Sequence, residues 1–207
     1  MRSSYFMRIV TIASIASVAV LSAGLASYPA VPSRIDDLCA VFEEKGGWFE
    51  QDWKQAAEQV HRKRGVPVPV LMATLRKESG FQHNAKPPRQ WLLGFIPWKR
   101  VSSAYGYSQA LDGTWALYQK DTGNPSAKRN DFADAVDFVG WYHAKTAEQF
   151  GVAKDDAYNL YLAYYFGWTG YENGAWKEKA GLQRYAQETE QTARDYARQL
   201  RKCDQAA

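Results

Sequence analysis

The chain has 207 residues, with 26 Lys and Arg against 22 Asp and Glu, 30 aromatic residues and two cysteines. At 46% hydrophobic and 23% charged it can bury a core, which excludes a disordered or collagenous chain. A net charge of +4, with acidic and basic residues interleaved, excludes a nucleic-acid platform, and two cysteines 164 positions apart without a Cys-x-x-Cys exclude a disulfide-dense mini-protein and a Cys-rich zinc site.

Residues 1–26 have the layout of an export signal. Arg2 and Arg8 form a basic start, Ile9 to Ala23 is an uncharged run of 15 residues, and Gly24-Leu25-Ala26 offers small residues at the two positions a signal peptidase reads. Cleavage is expected after Ala26; left uncut, the uncharged stretch from Ile9 to Pro32 is long enough to tether the chain in a bilayer. Leu25 stands where a lipidated cysteine would be required, so no lipoprotein is expected. Loss of Arg2 and Arg8 lowers the charge from +4 to +2.

Residues 27–65 are expected to form an N-terminal helical extension packed on the main domain. A short helix runs from Ser33 to Lys45 and stops at Gly46-Gly47; a second runs from Phe49 to Arg64 and stops at Gly65. Cys39 lies at helical spacing from Ile35 and Phe42, and Cys203 closes the apolar series Leu182, Tyr185, Tyr196, Leu200 of the last helix. Both thiols therefore face inward. In an oxidising compartment a Cys39 to Cys203 disulfide is expected, with two unpaired buried thiols as the alternative.

The main domain is expected over residues 66–203. Val66-Pro67-Val68-Pro69 breaks the pattern and launches a helix over Val70 to Ser79, ended by Gly80. Further helices are expected at Gly113 to Thr122, Asp131 to Phe150, Ala157 to Phe166 and Gly181 to Cys203. No segment alternates with period two between turn signals, so the class is mainly α, with little or no β structure. Asp112 reads as the N-cap of the Gly113 helix, or alternatively as a second reactive carboxylate. His61, His83 and His143 are scattered, and His143 sits at helical spacing from Val136 and Val139, which favours packing; no metal site is expected.

Counting back by three, four and seven from Glu78 reaches Leu75, Thr74 and Leu71. Its carboxyl is thus on the apolar stripe of its helix, away from Arg76 and Lys77, and in the last turn, where the helix dipole disfavours a negative charge. Burial and dipole both raise the pKa, which suits a general acid that protonates a glycosidic oxygen. The plain alternative is a helix-end Glu paired with a neighbouring cation. Beyond it, Lys86 to Arg100 holds three prolines and reads as a loop. Its Trp91, Leu92, Leu93, Phe95, Ile96 and Trp98 are bracketed by Lys86, Arg89, Lys99 and Arg100. Three readings fit: aromatics folded into the core, a wall of a binding groove, or a basic-aromatic tip that touches a membrane or an envelope protein.

Glu78-Ser79-Gly80-Phe81 resembles the Glu-Ser-x-Phe signature of the soluble lytic transglycosylases, which have a lysozyme-like fold. Gly106-Tyr107-Ser108-Gln109, with Thr114 five residues on, resembles the family's Gly-Leu-Met-Gln segment, and Ala163-Tyr164-Tyr165 resembles its Ala-Tyr-Asn segment. The resemblance runs from about Val66 to Tyr196 and implies a lysozyme-like catalytic domain over 66–203. It also implies cleavage of the bond between N-acetylmuramic acid and N-acetylglucosamine in peptidoglycan, in the periplasm and without a cofactor. Glu78 would act first as acid on the leaving oxygen, then as base on the muramoyl C6 hydroxyl, which closes on C1 to leave a 1,6-anhydro end. Because that hydroxyl replaces water, one carboxylate suffices where ordinary glycosidases need two. Ser79, Tyr107, Ser108, Gln109, Tyr164 and Tyr165 would bind substrate or position Glu78. Glycan strands are the expected partner, nucleic acid is not, and a monomer is expected.

Tyr107 and Ser108 stand where the family commonly has Leu and Met, and Tyr165 where it has Asn, a smaller side chain with both donor and acceptor. The rival readings are a water-using muramidase with Asp112 as its second carboxylate and a catalytically silent peptidoglycan-binding module. Of the 28 aromatics beyond residue 26, seven fall between Trp91 and Tyr118 and eight between Tyr158 and Trp176. They are expected to line a glycan groove around Glu78.

Overall fold

The structure, a computed structural model, describes residues 30–46, 52–92 and 96–206. The export segment and the expected helix start at Phe49 lie outside the described residues.

Four helices begin where an aspartate carboxylate accepts an amide hydrogen that the helix leaves unpaired. Asp37 caps α1 (Leu38–Glu44), Asp52 caps α2 (Trp53–Arg64), Asp131 caps α5 (Phe132–Phe150) and Asp156 caps α6 (Ala157–Glu172). Helix α1 starts later than its periodicity suggests, because turns occupy Ser33 to Asp36. Helix α3 (Val68–Ser79) is entered through Pro67 and carries Pro69 in its first turn, where a missing N–H costs nothing. Helix α4 (Asp112–Thr122) departs by one residue from expectation: Leu111 is its N-cap, without a side-chain bond. Asp112 is instead the first helical residue, ion-paired with Arg129 at 2.7 Å. Helix α6 runs past Phe166 and kinks at Gly167, and α7 (Ala180–Ala206) closes the chain.

The expected mainly α class is borne out. The one β element among the described residues is a hairpin where a loop was expected, β1 (Arg89–Leu92) with β2 (Ile96–Arg100), antiparallel, with a bulge between Arg89 and Trp91. Prolines mislead here because Pro87 and Pro88 precede the strands, while Pro97 sits in a two-stranded sheet, where every strand is an edge and a lost donor is tolerated. The two strands pair with each other, and the side chains of residues 89–100, on which the three readings of this segment turn, lie outside those described.

One apolar core joins α1 through α7, from Leu38 and Val41 through Leu71, Met72 and Leu75 to Val136, Leu160 and Tyr196. Helices α2 and α5 cross at Gly140, where a Cβ would overlap the Val60 side chain. Beside that crossing, Arg64 of α2 grips Asp137 of α5 through two bonds of 2.8 and 2.7 Å, and Tyr118 of α4 donates to the same carboxylate at 2.9 Å. Helix α7 packs on α1, α3 and α6. The expected disulfide is present: Cys39 of α1 is bonded to Cys203 of α7, and Gln199 adds bonds to the Leu38 amide and the Asp36 carbonyl. Among the described residues, no helix is long and apolar enough to cross a membrane.

Candidate active site

A groove of about 510 Å³ opens between the C-terminal end of α3, the segment leading into α4, and the faces of α5 and α6. Glu78 lines it, with Gln109 and Thr114 on one side and Phe138, Tyr142, Tyr164, Tyr165 and Phe166 on the other. Among the described residues, Glu78 is the only carboxylate in that lining; Asp112 is exposed and turned to Arg129.

Helix α3 ends one residue after Glu78, with Gly80 and then Phe81 both at positive φ. Phe81 is a non-glycine in the left-handed region, a conformation held by burial against Trp53 at 5.6 Å between ring centroids. The turn thereby locks the last helical residues against the core. Burial pushes the Glu78 carboxyl up from 4.5 to about 7, opposed by a hydrogen bond from the Tyr161 hydroxyl and by the Lys77 charge. Oε1 of Glu78 is buried and has no hydrogen-bond partner. A half-protonated carboxyl with one bare oxygen on a groove can give and take a proton at neutral pH.

The predicted site residues divide into lining and foundation. Gln109 lines the groove at positive φ, its Nε2 committed to the carbonyls of Ala85 at 3.0 Å and Gly106 at 2.8 Å. That leaves Oε1, an acceptor, for a ligand. Tyr164 also lines the groove, donating from its hydroxyl to the Ser108 carbonyl at 2.5 Å. Tyr165 stands 52% exposed at the groove edge, with Phe166 edge-on at 5.4 Å. Ser79, Tyr107 and Ser108 do not reach the lining. The Ser79 hydroxyl bonds back to the Leu75 carbonyl, Ser108 is fully buried, and Tyr107 packs edge-on against both Trp53 and Phe132 beneath the site. Where the family has Leu, a buried aromatic fills the same apolar place, so direct sugar contact through Tyr107 is corrected to support.

Part of the aromatic excess is core and part lines the groove, while the side chains of Trp91, Phe95 and Trp98 lie outside those described. Tyr107, Trp115 and Tyr118 are core, and no aromatic with a described side chain between Val101 and Tyr118 lines the groove. Among the described residues, the aromatic wall comes from α5 and α6. Tyr161 is the residue that motif reading missed. It lies one turn before Tyr164 on the same helix, and that i, i+3 spacing was the available signal. His143 is a packing residue as expected: fully buried, it donates from Nε2 to the Thr74 hydroxyl at 2.9 Å, and burial depresses its pKa to about 3. The Thr74 hydroxyl is itself committed to the Val70 carbonyl, which fixes the neutral tautomer.

No curated protein matches the chain. The family model described as the transglycosylase SLT domain matches residues 11–203, nearly the whole chain. The chain therefore belongs to the transglycosylase SLT domain family, the lytic transglycosylases of the lysozyme-like superfamily, with peptidoglycan as substrate.

Proposed function

We infer that the chain is an exported lytic transglycosylase that cleaves between N-acetylmuramic acid and N-acetylglucosamine and leaves 1,6-anhydro ends. The observation that carries this reading is Glu78, the single groove carboxylate among the described residues, held at about 7 with Oε1 bare. Protonated, it gives its proton to the bridging oxygen as the C1–O bond breaks. The resulting carboxylate then takes the proton of the C6 hydroxyl as O6 bonds to C1. No water is consumed and Glu78 ends protonated, ready for another turnover. Tyr161 positions the carboxylate, Tyr164 holds the turn carrying Ser108 against α6, Gln109 ties that turn to Gly106 and Ala85, and Tyr165 offers an exposed ring for a sugar face. Ser79, Tyr107 and Ser108 act as foundation. A disulfide between α1 and α7 fits an oxidising compartment such as the periplasm and supports export.

A water-using mechanism with Asp112 finds less support, since that side chain is spent on Arg129 outside the groove lining. The test is mass spectrometry of peptidoglycan digests. Anhydro ends are expected, lighter than hydrolytic ends by one water, and Glu78→Gln is expected to lower product formation roughly 10³-fold. Hydrolytic ends from the wild type, or activity surviving in the variant, overturns the mechanism.

A further inference from the structure

We propose that the Tyr142 hydroxyl pins open a break in α6 that turns consecutive residues of that helix into the groove, which makes Tyr142 a positioning residue for glycan binding. This role rests on the groove being the glycan site and is independent of how Glu78 reacts. Tyr164, Tyr165, Phe166 and Gly167 are consecutive, and all four line the groove. Consecutive residues of an α-helix point about 100° apart, so four in a row travel most of the way around it and cannot share one face. They can share a groove only where the helix breaks. Helix α6 breaks at Gly167, whose φ of 71° and ψ of 163° lie in a region open in practice to glycine alone. A Cβ at that position would meet nothing within 4 Å, so no neighbour on that side holds the break open.

The group that reaches both sides of the break comes from α5. The Tyr142 hydroxyl donates to the Ala163 carbonyl before the break at 3.2 Å and accepts from the Trp168 amide after it. A side chain inserted into the hydrogen-bond ladder of a helix is a known cause of a sharp kink. Burial raises the Tyr142 pKa, so the hydroxyl keeps the proton that it shares with Ala163. The ring is buried and held on two sides. It stacks on the Trp168 indole, 4.7 Å between centroids and 21° between planes, and meets Tyr164 edge-on at 5.1 Å. One turn along α5, the Thr146 hydroxyl accepts from Nε1 of Trp168 at 3.0 Å. Glu78 and Tyr161 stand apart from this arrangement: Glu78 is on α3, and Tyr161 precedes Ala163 in the regular part of α6. Loss of the pin therefore loosens the grip on the sugar and leaves proton transfer as it is.

The experiment removes the hydroxyl and keeps the ring. Affinity for soluble glycan fragments of peptidoglycan is read by isothermal titration in the Glu78→Gln background, without turnover. In the active enzyme, KM, kcat and the pH profile of kcat are read on the same fragments. Tyr142→Phe is expected to weaken binding and raise KM about tenfold, for two hydrogen bonds lost, with kcat within about twofold and its alkaline limb in place. Gly167→Ala, which disfavours the same break, is expected to do likewise. The double variant is expected to be no more than about twofold worse than Gly167→Ala, because the hydroxyl then has nothing left to pin. Thr146→Val is the control, lowering Tm by freeing the Trp168 indole while affinity stays within about twofold of the wild type. Unchanged affinity in Tyr142→Phe overturns the proposal, as do single effects that multiply to about a hundredfold in the double variant. So does a Thr146→Val protein that loses as much affinity as Tyr142→Phe, which is the mark of general loosening. Where Tyr142→Phe does not fold, unchanged affinity in Gly167→Ala overturns it alone. Hydrolytic ends together with the expected affinity losses overturn the mechanism of Glu78 and support the pin, whereas a Glu78→Gln protein that binds no glycan overturns the groove as the glycan site and the pin with it.

Discussion

Two effects act on the Glu78 carboxyl in opposite senses. Burial raises its pKa, while the Tyr161 hydroxyl stabilises the ionised form and holds the value near 7. Tyr161→Phe removes the hydroxyl and keeps the ring, so the buried helix face survives. The carboxyl pKa should then rise, because the bond that lowered it is gone. For a group that must be protonated to act as acid, the alkaline limb of the rate profile moves to higher pH, by up to about one unit, which corresponds to roughly 1.4 kcal/mol. Turnover at acidic pH should fall roughly tenfold as the carboxyl loses its fixed orientation. The pH profile of kcat checks both effects, and a limb that stays in place means that Tyr161 does not act on Glu78. Glu78 itself was legible in the sequence because helical spacing places it on an apolar stripe. Tyr161 was not, because its partner lies 83 positions away and nothing local distinguishes it from the core tyrosines around it.

At the level of elements, the groove depends on a turn that only glycine can make. Gly106 adopts φ 76°, its amide donates to the Ala85 carbonyl, and Tyr107 donates in turn to the Arg129 carbonyl. A Cβ at position 106 would overlap that same Arg129 carbonyl, which is backbone and cannot swing aside. Gly106→Ala should therefore destabilise by at least about 2 kcal/mol, from the left-handed backbone and the overlap together. Because this turn carries Gln109 and the segment into α4, turnover should fall by more than the loss of folded protein explains. Urea denaturation with activity per folded molecule separates the two. The helices on either side were legible from aspartate caps, terminal glycines and period. The hairpin was not, since its apolar residues run consecutively rather than alternately, and a bulge shifts the pairing between Arg89 and Trp91.

Across the whole molecule, the fold was legible where local periodicity decides it, and opaque where distant segments meet. The crossing of α2 and α5 at Gly140 and the sharing of Asp137 by Arg64 and Tyr118 arise only once the helices pack. The Cys39–Cys203 bond is the exception, a long-range contact read correctly because only one intrachain pairing exists for two cysteines. It joins positions 164 apart, close to the full described span, so it restricts the unfolded chain about as much as a single cross-link can. Its loss in Cys39→Ser/Cys203→Ser should cost about 2–4 kcal/mol, a fall in Tm of roughly 5–15 °C for a domain of this size. The native contacts near it do not vanish with it. Gln199 still bonds the Leu38 amide and the Asp36 carbonyl, and α7 still packs on α3 and α6. Turnover well below Tm should therefore be close to that of the wild type, because Glu78 and Tyr161 sit on α3 and α6 and not on the tied ends. Thermal melts with and without reductant check the first point. A wild type whose Tm ignores reductant, even when unfolded in its presence, shows that the cross-link is not formed in the protein.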